Sequence, residues 1–414
     1  MRSTRFPVWP CALLVSVALS ACLQLACSSD EGGGGSVALD AGDGGTTEAA
    51  TPDAGVSDGA LQDTGGDVTA DSVADQGLSD SASDSVAPDA PAAVPAVHFV
   101  GRHESTAPGQ ARFGWSGTGL LVRFQGTAVR VRMDNPQGAY TVVVDDAVQP
   151  PLQTTPGFQT YTLAGGLAPG EHVVQLLRRV EGHAGVTSVD KVEIDGQLLA
   201  PPPVKRRMEI LGDSITCGYG NEGADQSCHF SYDTENHFLT YGAVAARAVG
   251  AELSTIAWSG KGVIFNYGDD KDQPLPTLYE RTLPTESGLW NFQWQADVVL
   301  VNLGTNDFST DGDPTEGEFV PAYVALLEKL RSKYPNALLL CTVAPLLWGD
   351  DKTTSDAYVQ KAVDQRVAAG DKHVKRIDIS VDAIGLGCDW HPSAATHAAM
   401  GARLVTVLHD ELGW

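Results

Sequence analysis

A parallel α/β sheet with helices on both faces, preceded by an all-β sandwich and a disordered amino-terminal tether, is the architecture this sequence predicts. Three observations carry it. Residues 204–414 alternate apolar strand-like runs with helical spacing, which implies a parallel sheet covered on both sides. Residues 97–203 hold short period-two runs separated by turns, with no helical segment among them, as a β-sandwich requires. Between Ser28 and Ala96 there are fourteen Asp or Glu, no Lys or Arg and no aromatic residue. Such a stretch cannot bury enough apolar surface to offset its chain entropy, so no packed structure is expected there.

Residues 1–22 read as an export segment. Arg2 and Arg5 supply positive charge, and Cys11 to Ala21 is a short apolar core followed by small residues. The core is too short to span a membrane as a helix. Leu19-Ser20-Ala21-Cys22 resembles the lipobox of bacterial lipoproteins. That resemblance implies lipidation of Cys22 and a place in the cell envelope, at the outer membrane or cell surface, with the lipid as the only membrane contact. Gln24-Leu25-Ala26-Cys27 is the alternative, although Gln24 stands where the pattern wants an aliphatic residue. Cleavage as an ordinary secretory signal, near Ala21 or Ala26, is the plainer alternative and would give a secreted protein.

Residues 23–96 form the acidic linker, and much of the formal charge of −25 over 414 residues lies in it. Its acidity describes a solvated spacer and says little about partners. No basic stripe occurs anywhere in the chain, so nucleic acid is not an expected ligand.

From residue 97 the alternating runs Leu120–Phe124, Val129–Met133, Tyr140–Val144, Tyr161–Leu163 and His172–Leu176 read as strands, with turns such as Gln125-Gly126-Thr127 between them. Pro201-Pro202-Pro203 marks a stiff boundary. Beyond it, Met208–Leu211, Leu253–Ala257, Val298–Val301 and Ala337–Leu340 are apolar runs suited to strands buried on both faces. Phe319, Tyr323, Leu326 and Leu330 recur at helical spacing, and Tyr241–Val249 and Ala394–Leu408 also read as helices.

Cys217, Cys228, Cys341 and Cys388 all lie in the second domain. An exported chain tolerates disulfides, and four cysteines allow three pairings. Cys217 with Cys228 would close a short loop; four free thiols are the alternative. No C-x-x-C or H-x-x-x-H spacing is present, so a zinc site is not expected.

Four motifs carry chemistry. Gly212-Asp213-Ser214-Ile215-Thr216 follows a strand and places a hydroxyl at the carboxyl end of a parallel sheet, where ligands of such sheets bind. Serine needs a base and an oxyanion hole to act as a nucleophile. Trp258-Ser259-Gly260-Lys261-Gly262 offers the Gly260 N–H as an oxyanion donor beside that of Ser214, with Gly262 as its neighbouring alternative. Gly304-Thr305-Asn306-Asp307 offers the Asn306 amide as a third donor, Asp307 being assigned a structural task. Asp389-Trp390-His391-Pro392 supplies His391 as general base and Asp389 as its orienting partner. His397 is the nearest rival imidazole and is expected to pack or cap.

These blocks, in the order Ser214, Gly260, Asn306, His391, resemble the SGNH or GDSL hydrolase superfamily. Within it, Gly212 to Glu222, Ala257 to Val263 and Cys388 to Pro392 are similar to carbohydrate esterase family 2, including an acid two residues before the histidine. The resemblance implies a flavodoxin-like catalytic sheet preceded by a jelly-roll domain. It also implies a serine esterase that removes O-acetyl groups from plant polysaccharides such as xylan or glucomannan, without a metal or organic cofactor. Some family members orient the histidine through a backbone carbonyl in place of the acid. Tyr219, Trp258, Tyr267 and Trp390 are candidates to stack on sugar rings, Trp390 foremost because it sits between the two catalytic residues. The rival expectations are an SGNH esterase or lipase acting on other acyl esters, and a surface carbohydrate-binding lipoprotein without turnover.

Overall fold

The computed structural model describes Val94 and residues 96–310, 312–343, 346–382 and 384–414. The export segment, Cys22, Cys27 and the acidic linker up to residue 93 lie outside the described residues.

Five parallel strands form the catalytic sheet: Arg207–Gly212, Glu252–Ala257, Val298–Asn302, Leu338–Thr342 and Val374–Arg376. The second in sequence lies at one edge, followed by the first, third, fourth and fifth. This is the flavodoxin-like order, which reverses direction beside the first strand. Strand side chains alternate between two buried layers, as a sheet covered on both faces demands. Met208, Ile210, Val298 and Leu300 meet the helices Tyr241–Val249 and Ala394–Leu412 on one side. Leu211, Val299, Val301 and Leu339 meet Glu316–Lys333 and Gly349–Ala368 on the other.

The helix Gly349–Ala368 has no counterpart in the sequence reading. Only Ser355, Val359, Ala362 and Val363 of its residues are buried, too sparse a stripe to announce a helix by apolar spacing.

The amino-terminal domain is antiparallel β throughout, around a core that includes Phe113, Leu120, Val131, Tyr140 and Leu176. Its organising element corrects the expected turn at Gln125-Gly126-Thr127, because Gly119–Asp134 is one continuous 16-residue strand. Its first half pairs with Gly170–Arg178 and its second with Thr187–Leu198, and the register shifts between Asp195 and Gly196 so that Thr127 of the long strand is the extra, unmatched residue. A strand that changes partners at a bulge is one way a sandwich turns its corner.

The two domains share a buried contact. Arg102 of the sandwich reaches Glu209, on the first catalytic strand, with Nη2 at 3.2 and 3.1 Å from its two oxygens. The hydroxyls of Tyr279 and Tyr334, each at 2.9 Å, and of Ser254, at 3.2 Å, donate to the same carboxylate.

Candidate active site

Three of the four motifs stand at the carboxyl ends of the first three parallel strands, where the strand order reverses. Ser214 opens the single helical turn Ser214–Cys217 directly after its strand. Asp213 caps that turn, its carboxylate accepting the Ile215 N–H at 3.0 Å. As the first helical residue, Ser214 has an N–H with no acceptor within the helix. Gly260 follows the strand ending at Ala257, and Asn306 the strand ending at Asn302.

The fourth motif approaches from the carboxy-terminal segment. His391 Nε2 lies 2.8 Å from Ser214 Oγ, and His391 Nδ1 lies 3.0 Å from the backbone carbonyl of Asp389. With the proton on Nδ1 donated to that carbonyl, Nε2 is left to accept from the serine hydroxyl, the tautomer a general base needs. Burial, the largest influence, holds the His391 pKa below its ordinary value; the Asp389 and Cys388 carbonyls and the Asp389 and Glu181 charges oppose it.

Asp389 therefore serves His391 differently from the expectation. Its carboxylate turns away and accepts from the Tyr219 hydroxyl (2.9 Å), the Phe230 N–H (2.8 Å) and His229 Nδ1 (2.9 Å). The cause is local. Asp389 and Trp390 both adopt left-handed backbone, with φ of 50° and 65°, which curls the chain so that the Asp389 carbonyl faces the imidazole two residues on. Non-glycine residues rarely hold this conformation, and strain of this kind persists where the surroundings over-determine it. Tyr219, held by Asp389, stacks on the His391 ring at a centroid distance of 4.2 Å.

The histidine segment is laced to the loop after Ser214. Cys388 N donates to Gly220 O at 3.0 Å, Asp389 N to Cys228 O at 2.9 Å and Ala394 N to Asn221 O at 2.8 Å. Gly220 has φ of +58°, and a Cβ there would stand 2.7 Å from that of Cys388, so only glycine permits this approach. A Cys228–Cys388 disulfide completes the attachment, while Cys217 and Cys341 are buried free thiols. The expected Cys217–Cys228 pair is thus replaced: Cys217 points into the core from the serine turn, fully buried.

The oxyanion candidates converge on one cleft of about 860 Å³, lined by Ser214, Gly260, Asn306 and His391. Gly260 (φ +76°) accepts from Tyr267 N at 2.8 Å, and its own N–H meets no acceptor among the described residues. Gly262, the alternative, directs its N–H to Asn266 Oδ1 at 3.4 Å. Asn306 Nδ2 donates one proton to Lys261 O at 2.9 Å, which leaves its second N–H for a ligand. Asp307 performs the structural task expected of it, accepting from the N–H groups of Val263, Ile264 and Phe265 at 2.8, 2.9 and 2.9 Å. His397 is buried, stacks on Tyr241 and accepts from its N–H at 3.3 Å.

Among the aromatic candidates, Trp390 and Tyr267 line the cleft, 59 % and 67 % exposed. Trp258 does not join them. It packs edge-on against Trp115 beside the core. Trp348, which the sequence reading missed, also lines the cleft and is 71 % exposed. Its position just past the fourth parallel strand was the available signal, since that loop opens at the same sheet edge.

One set of groups able to hold a metal occurs among the described residues: Glu181, Cys217 and Glu235, all buried, with ligand atoms within 4.8 Å of one another. Burial raises the Cys217 thiol well above its ordinary range, and both Glu181 oxygens already accept from Ser259. The set is better matched to a proton held on Glu235 than to a cation.

Two family models match the chain: carbohydrate esterase 2 N-terminal over residues 99–203, and the GDSL-like lipase/acylhydrolase family over 210–399. The cellulase/esterase CelE of Acetivibrio thermocellus is 36% identical over 327 residues, covering 77% of this chain. The chain spans 40% of the length of that relative. An acetylxylan esterase/glucomannan deacetylase of Cellvibrio japonicus is 30% identical over 341 residues, 77% of this chain and 91% of the relative. Among solved structures, a family two carbohydrate esterase from Clostridium thermocellum in complex with cellohexaose matches with a TM-score of 0.74 and 35% identity. It covers 77% of this chain and 99% of that one.

Proposed function

Because the chain belongs to carbohydrate esterase family 2, we propose that it is a serine esterase that removes O-acetyl groups from plant cell-wall polysaccharides such as acetylated xylan and glucomannan. The observation that carries this reading is the 2.8 Å contact between His391 Nε2 and Ser214 Oγ inside the cleft. His391 takes the hydroxyl proton as Oγ attacks the acetyl carbonyl. The oxygen that gains negative charge is met by the N–H groups of Ser214 and Gly260 and by the free N–H of Asn306. Collapse of the tetrahedral intermediate expels the sugar oxygen, which receives the proton from His391. Water then enters, gives His391 a proton and releases acetate, regenerating the Ser214 hydroxyl.

The Asp389 carbonyl keeps the imidazole in the required tautomer, and the stacked Tyr219 ring limits its rotation. Tyr267, Trp348 and Trp390 present exposed aromatic faces around the cleft, surfaces to which the apolar faces of sugar rings are suited. The experiment is acetate release from acetylated xylan and glucomannan, with and without Ser214→Ala. Loss of at least ~10⁴-fold in kcat with an unchanged circular dichroism spectrum is expected, and retained turnover would remove Ser214 as nucleophile.

Export and anchoring complete the reading. Residues 1–22 direct the chain out of the cytoplasm, and a lipid on Cys22 holds it in the envelope; the lipobox-like Leu19-Ser20-Ala21-Cys22 supports this. About seventy linker residues would give a root-mean-square reach on the order of 45 Å, enough to sample a bulky polymer. Incorporation of a clickable palmitate into the wild type and its loss in Cys22→Ser is the test; labelling that moves only in Cys27→Ser would reassign the site.

A further inference from the structure

We infer that Glu181, contributed by the sandwich domain, is a positioning residue for the oxyanion hole of the catalytic domain, acting through Ser259 on the Gly260 N–H. The inference rests on the esterase reading and adds to it a part supplied by the other domain.

Glu181 lies just past the sandwich strand Gly170–Arg178 and is fully buried. Its Oε2 accepts the Ser259 N–H at 2.7 Å, and its Oε1 accepts the Ser259 hydroxyl. Ser259 immediately precedes Gly260, whose N–H is left free to meet a ligand. A glycine with left-handed backbone has wide conformational freedom, so this donor faces the cleft only if its neighbours are held. On the far side, Tyr267 N holds Gly260 O at 2.8 Å and Lys261 N reaches Trp258 O at 3.2 Å. On the near side, the Glu181 carboxylate is the anchor. Bonds to an ionised acceptor are shorter and roughly twice as strong as neutral ones.

The neighbouring acid leaves Glu181 in the acceptor role. Glu235 lies beside it, fully buried, with Oε2 accepting the Glu181 N–H at 3.3 Å and Oε1 without a partner. Two neighbouring carboxyls in a dry interior cannot both ionise. Burial first, and the charge of Glu181 second, push the Glu235 pKa well above the carboxylate range. The proton therefore resides on Glu235, and both Glu181 oxygens accept from the Ser259 donors. His183 Nδ1, at 3.3 Å, adds a further contact to Glu181.

The test uses the full chain with 4-nitrophenyl acetate, active-site titration to count competent molecules, and an alkylboronic acid that mimics the tetrahedral intermediate. For Glu181→Ala the expected result is a fall in kcat on the order of 100-fold, since a displacement of about 1 Å costs this much. KM should stay within about threefold, and boronate affinity should fall in parallel with kcat. Glu181→Gln, which keeps one acceptor but no charge, should lie between Glu181→Ala and wild type, and Ser259→Ala should lose about tenfold. A contact that merely ties the domains together would lower the melting temperature and leave kcat per titrated site and boronate affinity unchanged; that result overturns the inference. If neither Glu181 variant folds, Ser259→Ala decides by the same two readouts. Wild-type protein that cleaves no acetyl ester overturns the esterase reading and the inference with it, whereas wild-type turnover with an unaffected Glu181→Ala overturns the inference alone.

Discussion

Two of the contacts between the sandwich and the catalytic domain centre on buried acids, and the two are built in opposite ways. Towards the amino-terminal end of the first strand, Glu209 is surrounded by donors: the Arg102 guanidinium, two tyrosine hydroxyls and a serine hydroxyl. Beyond the carboxyl end of the second strand, Glu181 has the two donors of Ser259 and a 3.3 Å contact with His183, and a second acid stands next to it. A buried charge with a complete set of partners is close to neutral for stability, and removing one partner is what costs. A buried acid facing another acid is a local conflict, and conflicts of that kind concentrate at functional sites. The first contact joins the domains; the second shapes the cleft.

Arg102→Met is expected to break the first contact with the largest effect on folding. It leaves Glu209 buried without its cation, at a cost of about 3–5 kcal/mol. The melting temperature should drop steeply while kcat per titrated site stays within about threefold. A comparable loss of kcat would erase the distinction between the two contacts.

Asp389→Asn gives an intermediate effect. The carboxylate does not touch the imidazole, and the carbonyl that does is unchanged by the substitution. A loss in kcat of at most about tenfold is expected, against about 10⁴ for a triad aspartate. Steady-state kinetics at fixed pH distinguishes the two.

The smallest effect is in pH dependence. Burial lowers the His391 pKa, and the base must be neutral, so the acid limb of kcat/KM should have its midpoint below 6.5. The buried histidines contribute to fold stability with the same sign. His237 and His397 are buried with pKa values lowered to about 3, chiefly by burial. Between about 3 and 6.5 the unfolded chain therefore binds more protons than the native one, and their contribution falls as pH drops through that window. The Glu235 and Asp213 carboxyls, raised by burial, act in the opposite direction over the same window. The histidine contribution is therefore read as a difference: the melting temperature of His397→Gln should change less unfavourably between pH 7 and pH 4 than that of the wild type, and an identical change would show that His397 contributes nothing.

What was legible in the sequence follows the same division. Four of the five parallel strands announced themselves as apolar runs, and three of the motifs each followed one, so the positions of Ser214, Gly260 and Asn306 could be read directly. His391 was legible by residue type, because few side chains titrate near neutrality. Direction was not legible. Nothing in the letters of Asp389 and Trp390 reveals left-handed backbone, so the carboxylate was expected where the carbonyl stands. Cys217 and Cys228 are near in sequence, yet Cys388 is the partner because the strand order folds the last loop onto the first. Glu181 was invisible for a related reason: its partner Ser259 is 78 residues away and in another domain.

The Cys228–Cys388 bond changes the distance that separates base from nucleophile. Along the backbone, Ser214 and His391 are 177 positions apart. Through the sulfur bridge, the path is fourteen positions to Cys228 and three from Cys388. Shortening a flexible path by this ratio relieves about 2 kcal/mol of closure entropy. Even a heat-loosened molecule, oxidised but no longer packed, keeps its proton acceptor within a short leash of the hydroxyl it serves.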